Sequence, residues 1–222
     1  MGAGASTAKI GAELREASAG GDSAKVTQIL GMKEVDVNWF PPPAKNQALP
    51  DQLTALMKAS ISGHATVIQL LLAAPGISVN ASTEAGATAL IAAARANHID
   101  VVKLLLAARR AITVDQADQN GYTALLIASQ CGYVPILTLL LESGADINKC
   151  NYDGCSALIK ASQFGQAEVA ALLCATKGID INKATNFRST ALSFAMDKEH
   201  QKAVDILKAQ PGIVVPTKAG AQ

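Results

Sequence analysis

The chain has 222 residues, half of them hydrophobic but only 4% aromatic, so its core has to be built from Ala, Leu, Ile and Val. Nineteen basic residues against eighteen acidic ones give no dominant electrostatic grip on nucleic acid. No run of 18 apolar residues occurs, which argues against a membrane-spanning helix.

The first residues, Met1-Gly2-Ala3-Gly4-Ala5-Ser6-Thr7, fit the N-myristoylation pattern. The acylated amine must be a free α-amine on an unhindered residue, so Gly2 is the candidate lipidation site. The plainer alternative is a flexible leader over residues 1–9. A single acyl chain binds membranes marginally. No nearby Cys or basic cluster supplies a second signal, so any attachment is expected to be weak and reversible.

Residues 10–38 carry a degenerate copy of a unit that becomes regular further on. Glu13-Leu14 and Ala17 suggest a first helix, Gly20-Gly21-Asp22 a turn, and Val26, Ile29 and Leu30 a second helix. Val35-Asp36-Val37-Asn38 ends it. Residues 39–50 are an insertion that opens with Trp39-Phe40-Pro41-Pro42-Pro43 and runs to Pro50. Two readings stand. Trp39 and Phe40 are either binding anchors in a pre-stiffened loop or a cover folded back over the first groove.

Residues 51–183 are the regular body. The stretch from Gly121 to Asn148 shows the unit most clearly. Asn120-Gly121 is a turn pair. Thr123 can cap a helix starting at Ala124, and Cys131-Gly132 ends that helix. Pro135 suits the first turn of a second helix, whose apolar side is Ile136, Leu137, Leu139, Leu140 and Leu141. TALM at Thr54, TALI at Thr88, TALL at Thr123, SALI at Ser156 and TALS at Thr190 repeat the anchor in steps of 34, 35, 33 and 34 residues. An Asn or Asp stands eight residues before each of the last four anchors: Asn80, Asp115, Asn148 and Asn182. Ala59, Ala93, Ala128, Ala161 and Ala195 stand five residues after the five anchors.

Residues 184–216 depart from the pattern as a C-terminal capping unit, and 217–222 form a tail. Arg188 and Glu199 replace glycines in slots that favour positive φ, which costs a residue with a Cβ.

A period near 33, with one turn and two helices per period, means a solenoid. The pattern resembles the ankyrin-repeat family, over roughly Ile10 to Val215. The resemblance implies an all-α fold of about six helix-turn-helix repeats joined by β-hairpin-like loops. The chain departs from the family's tetrapeptide, with Ala where Pro is usual and Met57, Ile91, Leu126, Ile159 and Ser193 where His is usual.

The family holds partner proteins on its hairpin tips and on the exposed side of the first helices. Carried over, this places Glu84, Ala87, Gln119, Tyr122, Tyr152, Cys155, Phe187 and Ser189 on the tips. Lys58, Arg95, Gln130, Lys160, Gln163 and Phe164 follow on the first helices. Independently, none of the eight aromatics falls in an apolar run of a second helix. Tyr and Trp are frequent hot-spot residues. The alternative is that the hairpin aromatics stack on one another. The candidate partner-binding set is Trp39, Phe40, Glu84, Arg95, Gln119, Tyr122, Gln130, Tyr152, Gln163, Phe164 and Phe187.

No glycine-rich phosphate loop, nucleophile elbow or Ser-His-Asp set is identifiable, so no enzyme, cofactor or metal site is expected. The cysteines Cys131, Cys150, Cys155 and Cys174 fit no zinc spacing and are expected as free thiols. His64, His98 and His200 each stand ten residues after an anchor, so a structural hydrogen bond at the start of the second helix explains them. The expected function is a non-enzymatic protein-interaction scaffold, monomeric and cytoplasmic, tethered reversibly to membrane if Gly2 is acylated. The rival is a permanent part of a cytoskeletal or flagellar assembly.

Overall fold

The computed structural model describes residues 3–41, 52–108 and 112–215. Gly2, Pro42, Pro43, Pro50 and the tail 217–222 lie outside the described residues. The described chain forms twelve helices in consecutive pairs. They are α1 (Ala3–Gly20) with α2 (Ser23–Leu30), α3 (Ala55–Ser62) with α4 (Ala65–Ala73), and α5 (Ala89–Arg95) with α6 (Ile99–Ala107). Then come α7 (Ala124–Cys131) with α8 (Val134–Glu142), α9 (Ala157–Gln163) with α10 (Ala167–Ala175), and α11 (Ala191–Asp197) with α12 (Gln201–Lys208). Among the described residues the β features are two isolated bridges, Ser82 with Thr88 and Ala184 with Thr190. The chain divides into two compact units at Gln119/Asn120, within the stretch read from sequence as one regular run.

Each first helix starts where its anchor predicts. Thr54, Thr88, Thr123, Ser156 and Thr190 are N-caps with extended backbone. Their hydroxyl oxygens accept from the N–H three residues on, at 3.2–3.4 Å. Such a cap contributes about 1 kcal/mol. Residues 3–9, expected as a leader, are instead the first turns of α1. The reason is composition: the segment is rich in alanine, the strongest helix former.

The core is built from small residues. Ala59, Ala93, Ala128, Ala161 and Ala195 are all fully buried. In the first unit α3 packs between α1 and α5, and in the second α9 packs between α7 and α11. A methyl side chain at the crossing lets these short helices approach closely. Second helices pack likewise, α4 between α2 and α6, and α10 between α8 and α12. Their buried faces are Val67, Ile68 and Leu71 in α4 and Val169, Ala170 and Leu173 in α10.

Within each unit two further bonds pin neighbouring repeats together. The first supplies the partner of the hydrogen bond expected of the histidines. His64, His98 and His200 do sit at the N-cap of a second helix, but their side chains make no cap bond. Nε2 reaches back to the end of the preceding first helix: His64 to the Ala19 carbonyl at 3.0 Å, His98 to Ile61 at 2.9 Å, His200 to Gln163 at 3.2 Å. A carbonyl only accepts, so Nε2 carries the proton. Gln166 makes the same bond to Gln130 at 3.1 Å with its amide. The N-cap backbone is turned so that a long planar side chain clears its own helix and lands on the neighbour.

The second pin uses the regularly spaced asparagines in both directions at once. Asn148 Nδ2 donates to the Gly178 carbonyl at 2.7 Å, and its Oδ1 accepts from Asp180 N–H at 2.9 Å. Asn182 does the same with Gly212 and Val214, both at 2.8 Å. Asn38, just before the insertion, clips Gly76 and Ser78 at 2.8 and 2.7 Å. The insertion therefore leaves the end of the first repeat in register.

Positive φ falls at Arg188 and Glu199, the two glycine slots read from the sequence, at φ 63° and 59°, and also at Asn97, which was not read, at φ 60°. At Gly63 the requirement is double. Its φ is +79°, and an added Cβ would lie 2.6 Å from the His98 ring.

Gly63→Ala should therefore cost more than Gly76→Ala, which shares the left-handed φ but has open space around it. The expected excess is about 1–3 kcal/mol, the overpacking range, read by urea denaturation, and it should shrink when His98→Ala is added. Asn148→Ala should lower unfolding stability by about 1–2 kcal/mol through two lost bonds. Asn148→Asp should not restore it, because a carboxylate cannot donate to Gly178.

Candidate functional site

The loops before the first helices are hairpin tips tied in rows by backbone bonds. In the second unit Tyr152 N–H donates to the Asn120 carbonyl at 3.2 Å and Asn186 N–H to Asp153 at 3.0 Å. The Asn186 amide adds a bond to the Tyr152 carbonyl at 2.8 Å. Each tip is closed on itself, Asn151 N–H to Cys155 and Thr185 N–H to Ser189. Backbone bonding, not side-chain packing, thus sets where the tip residues stand.

Two tip aromatics project outward. Tyr152 is 72% exposed and Phe187 82% exposed, so neither ring is stacked under a neighbour. Phe164, at the C-cap of α9, is 47% exposed. Tyr122 behaves differently. It is half-buried, with the Lys160 ammonium 5.1 Å from its ring centroid. Lys160 is itself buried, and its Nζ also donates to Gln163 Oε1 at 3.3 Å. A cation over an aromatic face contributes about 0.5–2 kcal/mol as it is desolvated. Tyr122, Lys160 and Gln163 are thus one packed cluster. Gln130 is half-buried, and its carbonyl takes the Gln166 bond.

In the first unit the candidate residues are less gathered. Glu84, Arg95 and Gln119 are exposed. Glu84 N–H is held by Gln52 Oε1 at 2.9 Å, and Gln119 N–H donates to the Ala85 carbonyl at 2.9 Å. The open question over Trp39 and Phe40 separates the two. Trp39 lies against α1: a Cβ on Gly11 would sit 2.6 Å from its ring, and the Arg15 guanidinium lies 5.7 Å from the ring centroid. Arg15 is buried, and its Nε donates to the Leu53 carbonyl at 2.5 Å. Trp39 is a cover for the first helix. Phe40 remains 45% exposed.

Sequence reasoning missed one feature. Between α3 and α5 lies an apolar cleft of about 310 Å³, walled by Leu53, Met57 and Ile61 on one side and Ile91, Ala92 and Ala96 on the other. Arg95 lines its end. The signal was present in the alternation of large residues on α3 with alanines on α5. It shows only when the two helices are set side by side.

The cysteines are free. Burial pushes Cys155 and Cys174 above the ordinary thiol range, and burial does the same at Cys150, where Lys183 opposes it. They stay protonated at neutral pH and are poor nucleophiles. Among the described residues no group of three or more His, Cys, Asp or Glu is placed to hold a metal, and no helix is long and apolar enough to cross a membrane.

Two family models match. One, described as ankyrin repeats in three copies, covers residues 14–114 and 77–151. The other, ankyrin repeats in many copies, covers residues 132–174. Ankyrin repeats are generally protein–protein interaction modules. With these matches over most of its length, and with the capped helix pair recurring through both units, the chain belongs to the ankyrin-repeat family.

Proposed function

We propose that this protein is a non-enzymatic scaffold or adaptor that holds a partner protein against its hairpin tips and first-helix ends. The observation that carries the reading is the pair Tyr152 and Phe187, 72% and 82% exposed on adjacent tips that backbone bonds hold in place. Large apolar rings held in water at a fixed spacing lose little conformational entropy on docking, which is what makes aromatic hot spots. Phe164, at the end of α9, adds a third exposed ring in the same unit, and Tyr122 is held by the Lys160 ammonium. Glu84, Arg95 and Gln119 supply polar contacts in the first unit, and Phe40 a further exposed ring.

The end pairs support a monomer. α12 turns Gln201, Lys202, Asp205 and Lys208 to solvent, and α2 turns Lys25, Thr27 and Gln28. Polar outer faces are what the ends of a repeat stack need. The Gly2 motif adds a reversible membrane tether to a cytoplasmic protein, one acyl chain without a second signal.

Proximity labelling in cells gives the test. Tyr152→Ala with Phe187→Ala should reduce labelling of the principal partner about tenfold or more, as loss of hot-spot rings does. Thermal stability should hardly change, because exposed positions carry little of it. Unchanged labelling would remove the reading. For the tether, intact-mass measurement after expression in eukaryotic cells should show one myristoyl group on wild type and none on Gly2→Ala; an unmodified or acetylated wild-type terminus would end that part.

A further inference from the structure

Resting on the scaffold reading, we infer a specific pocket and the chemistry of what enters it. The cleft between α3 and α5 is a recognition site for a short protein segment that carries a large aliphatic side chain with an Asp or Glu two to four residues away. The walls are aliphatic throughout: Leu53, Met57 and Ile61 face Ile91, Ala92 and Ala96. At about 310 Å³ the space lies at the low end of ligand pockets, which run from about 300 to 1,000 Å³. Ile61 is 43% exposed at its rim, an aliphatic side chain left partly in water.

Polar groups are few and point one way. The Thr88 oxygen is engaged in capping α5, accepting from Ile91 N–H at 3.2 Å. Arg95, in the last turn of α5, is exposed, and among the described residues it forms no ion pair. Among the described residues no acidic side chain lines the cleft. An aliphatic floor ending at an unmatched guanidinium calls for an apolar group followed by a carboxylate, which Arg binds through a two-pronged fork.

Length limits the spacing. From Thr88 to Arg95 the wall runs seven residues, about 10 Å at 1.5 Å per helical residue. An extended chain crosses that distance in about three residues at 3.3 Å each. A single segment can therefore fill the cleft and reach Arg95, whereas a metal would find, among the described residues, one cation and one hydroxyl already engaged in capping.

The test is selection of a displayed library of random 12-residue peptides (about 40 Å when extended) on the full-length protein. The selected peptides are then titrated against wild type, Ile61→Glu, Arg95→Glu and the Tyr152→Ala/Phe187→Ala pair. The substituted residues are all substantially exposed, and circular dichroism melts check that each variant folds. The expected peptides share an aliphatic residue and an acidic one two to four positions apart. They should lose about tenfold or more in affinity on Ile61→Glu and on Arg95→Glu, and nothing on the aromatic pair. Peptides without the acidic residue, peptides that bind Ile61→Glu as well as wild type, or no enrichment at all would overturn the pocket. Self-association of the protein that is lost in Ile61→Glu would overturn it too, in favour of a second copy as occupant. Peptides lost on the aromatic pair alone would remove the pocket and leave the scaffold reading standing.

Discussion

Alanine at the helix crossing is the constraint on which each unit depends. Ala59, Ala93, Ala128, Ala161 and Ala195 are completely excluded from solvent, and none has a side chain longer than a methyl. A helix of seven or eight residues is too short to be stable in water by itself. It persists because its neighbours cover both flanks, and they can do so only at the close approach a methyl permits. A larger residue here would push the stack apart and loosen the caps, hairpins and pins together. The chain's 50% hydrophobic but 4% aromatic composition is the same fact seen from the sequence side.

The packing also sorts the aromatics. An interior set by methyls and branched aliphatics has little room for a ring, so most rings are left to the tips and helix ends, and Phe194 within α11 is only half-buried. Some of those are put to structural use. Trp39 covers the bare backbone of α1 at Gly11, and Tyr122 receives the Lys160 ammonium. Tyr152 and Phe187 have no such occupation and stand in solvent. Exposure of this size has a hydration cost, which association with another surface would relieve.

Much of this was legible in the residues because it is local. A Thr or Ser before Ala-Leu is a cap wherever it stands, and five of them in step fix five helix starts. Glycine slots were legible for the same reason, including the two filled by Arg188 and Glu199 at unchanged positive φ; Asn97 fills a third that sequence reasoning missed. What could not be read depends on two repeats at once. The histidines could be read as making a hydrogen bond at the start of the second helix, but only the juxtaposition of neighbours shows Nε2 aimed at a carbonyl 37 or 45 residues away. The asparagines were visible as a spacing, but their two-way clip requires the next loop in place. The α3–α5 cleft belongs to neither helix separately. For the opening segment the Gly/Ser/Ala wording of a leader outweighed helix propensity, and α1 absorbed it.

The paired pins carry a mechanical consequence. At one end of each such interface an imidazole or glutamine amide reaches backward along the chain, and at the other an asparagine reaches forward. A plate fastened at a single point can swivel; fastened at two separated points it cannot, and sliding would have to stretch both fasteners together. Within the second unit, then, Tyr152 and Phe187 are set like teeth on a rigid comb. Whatever meshes with that comb must already match its spacing, since the comb will not open to accommodate a misfit.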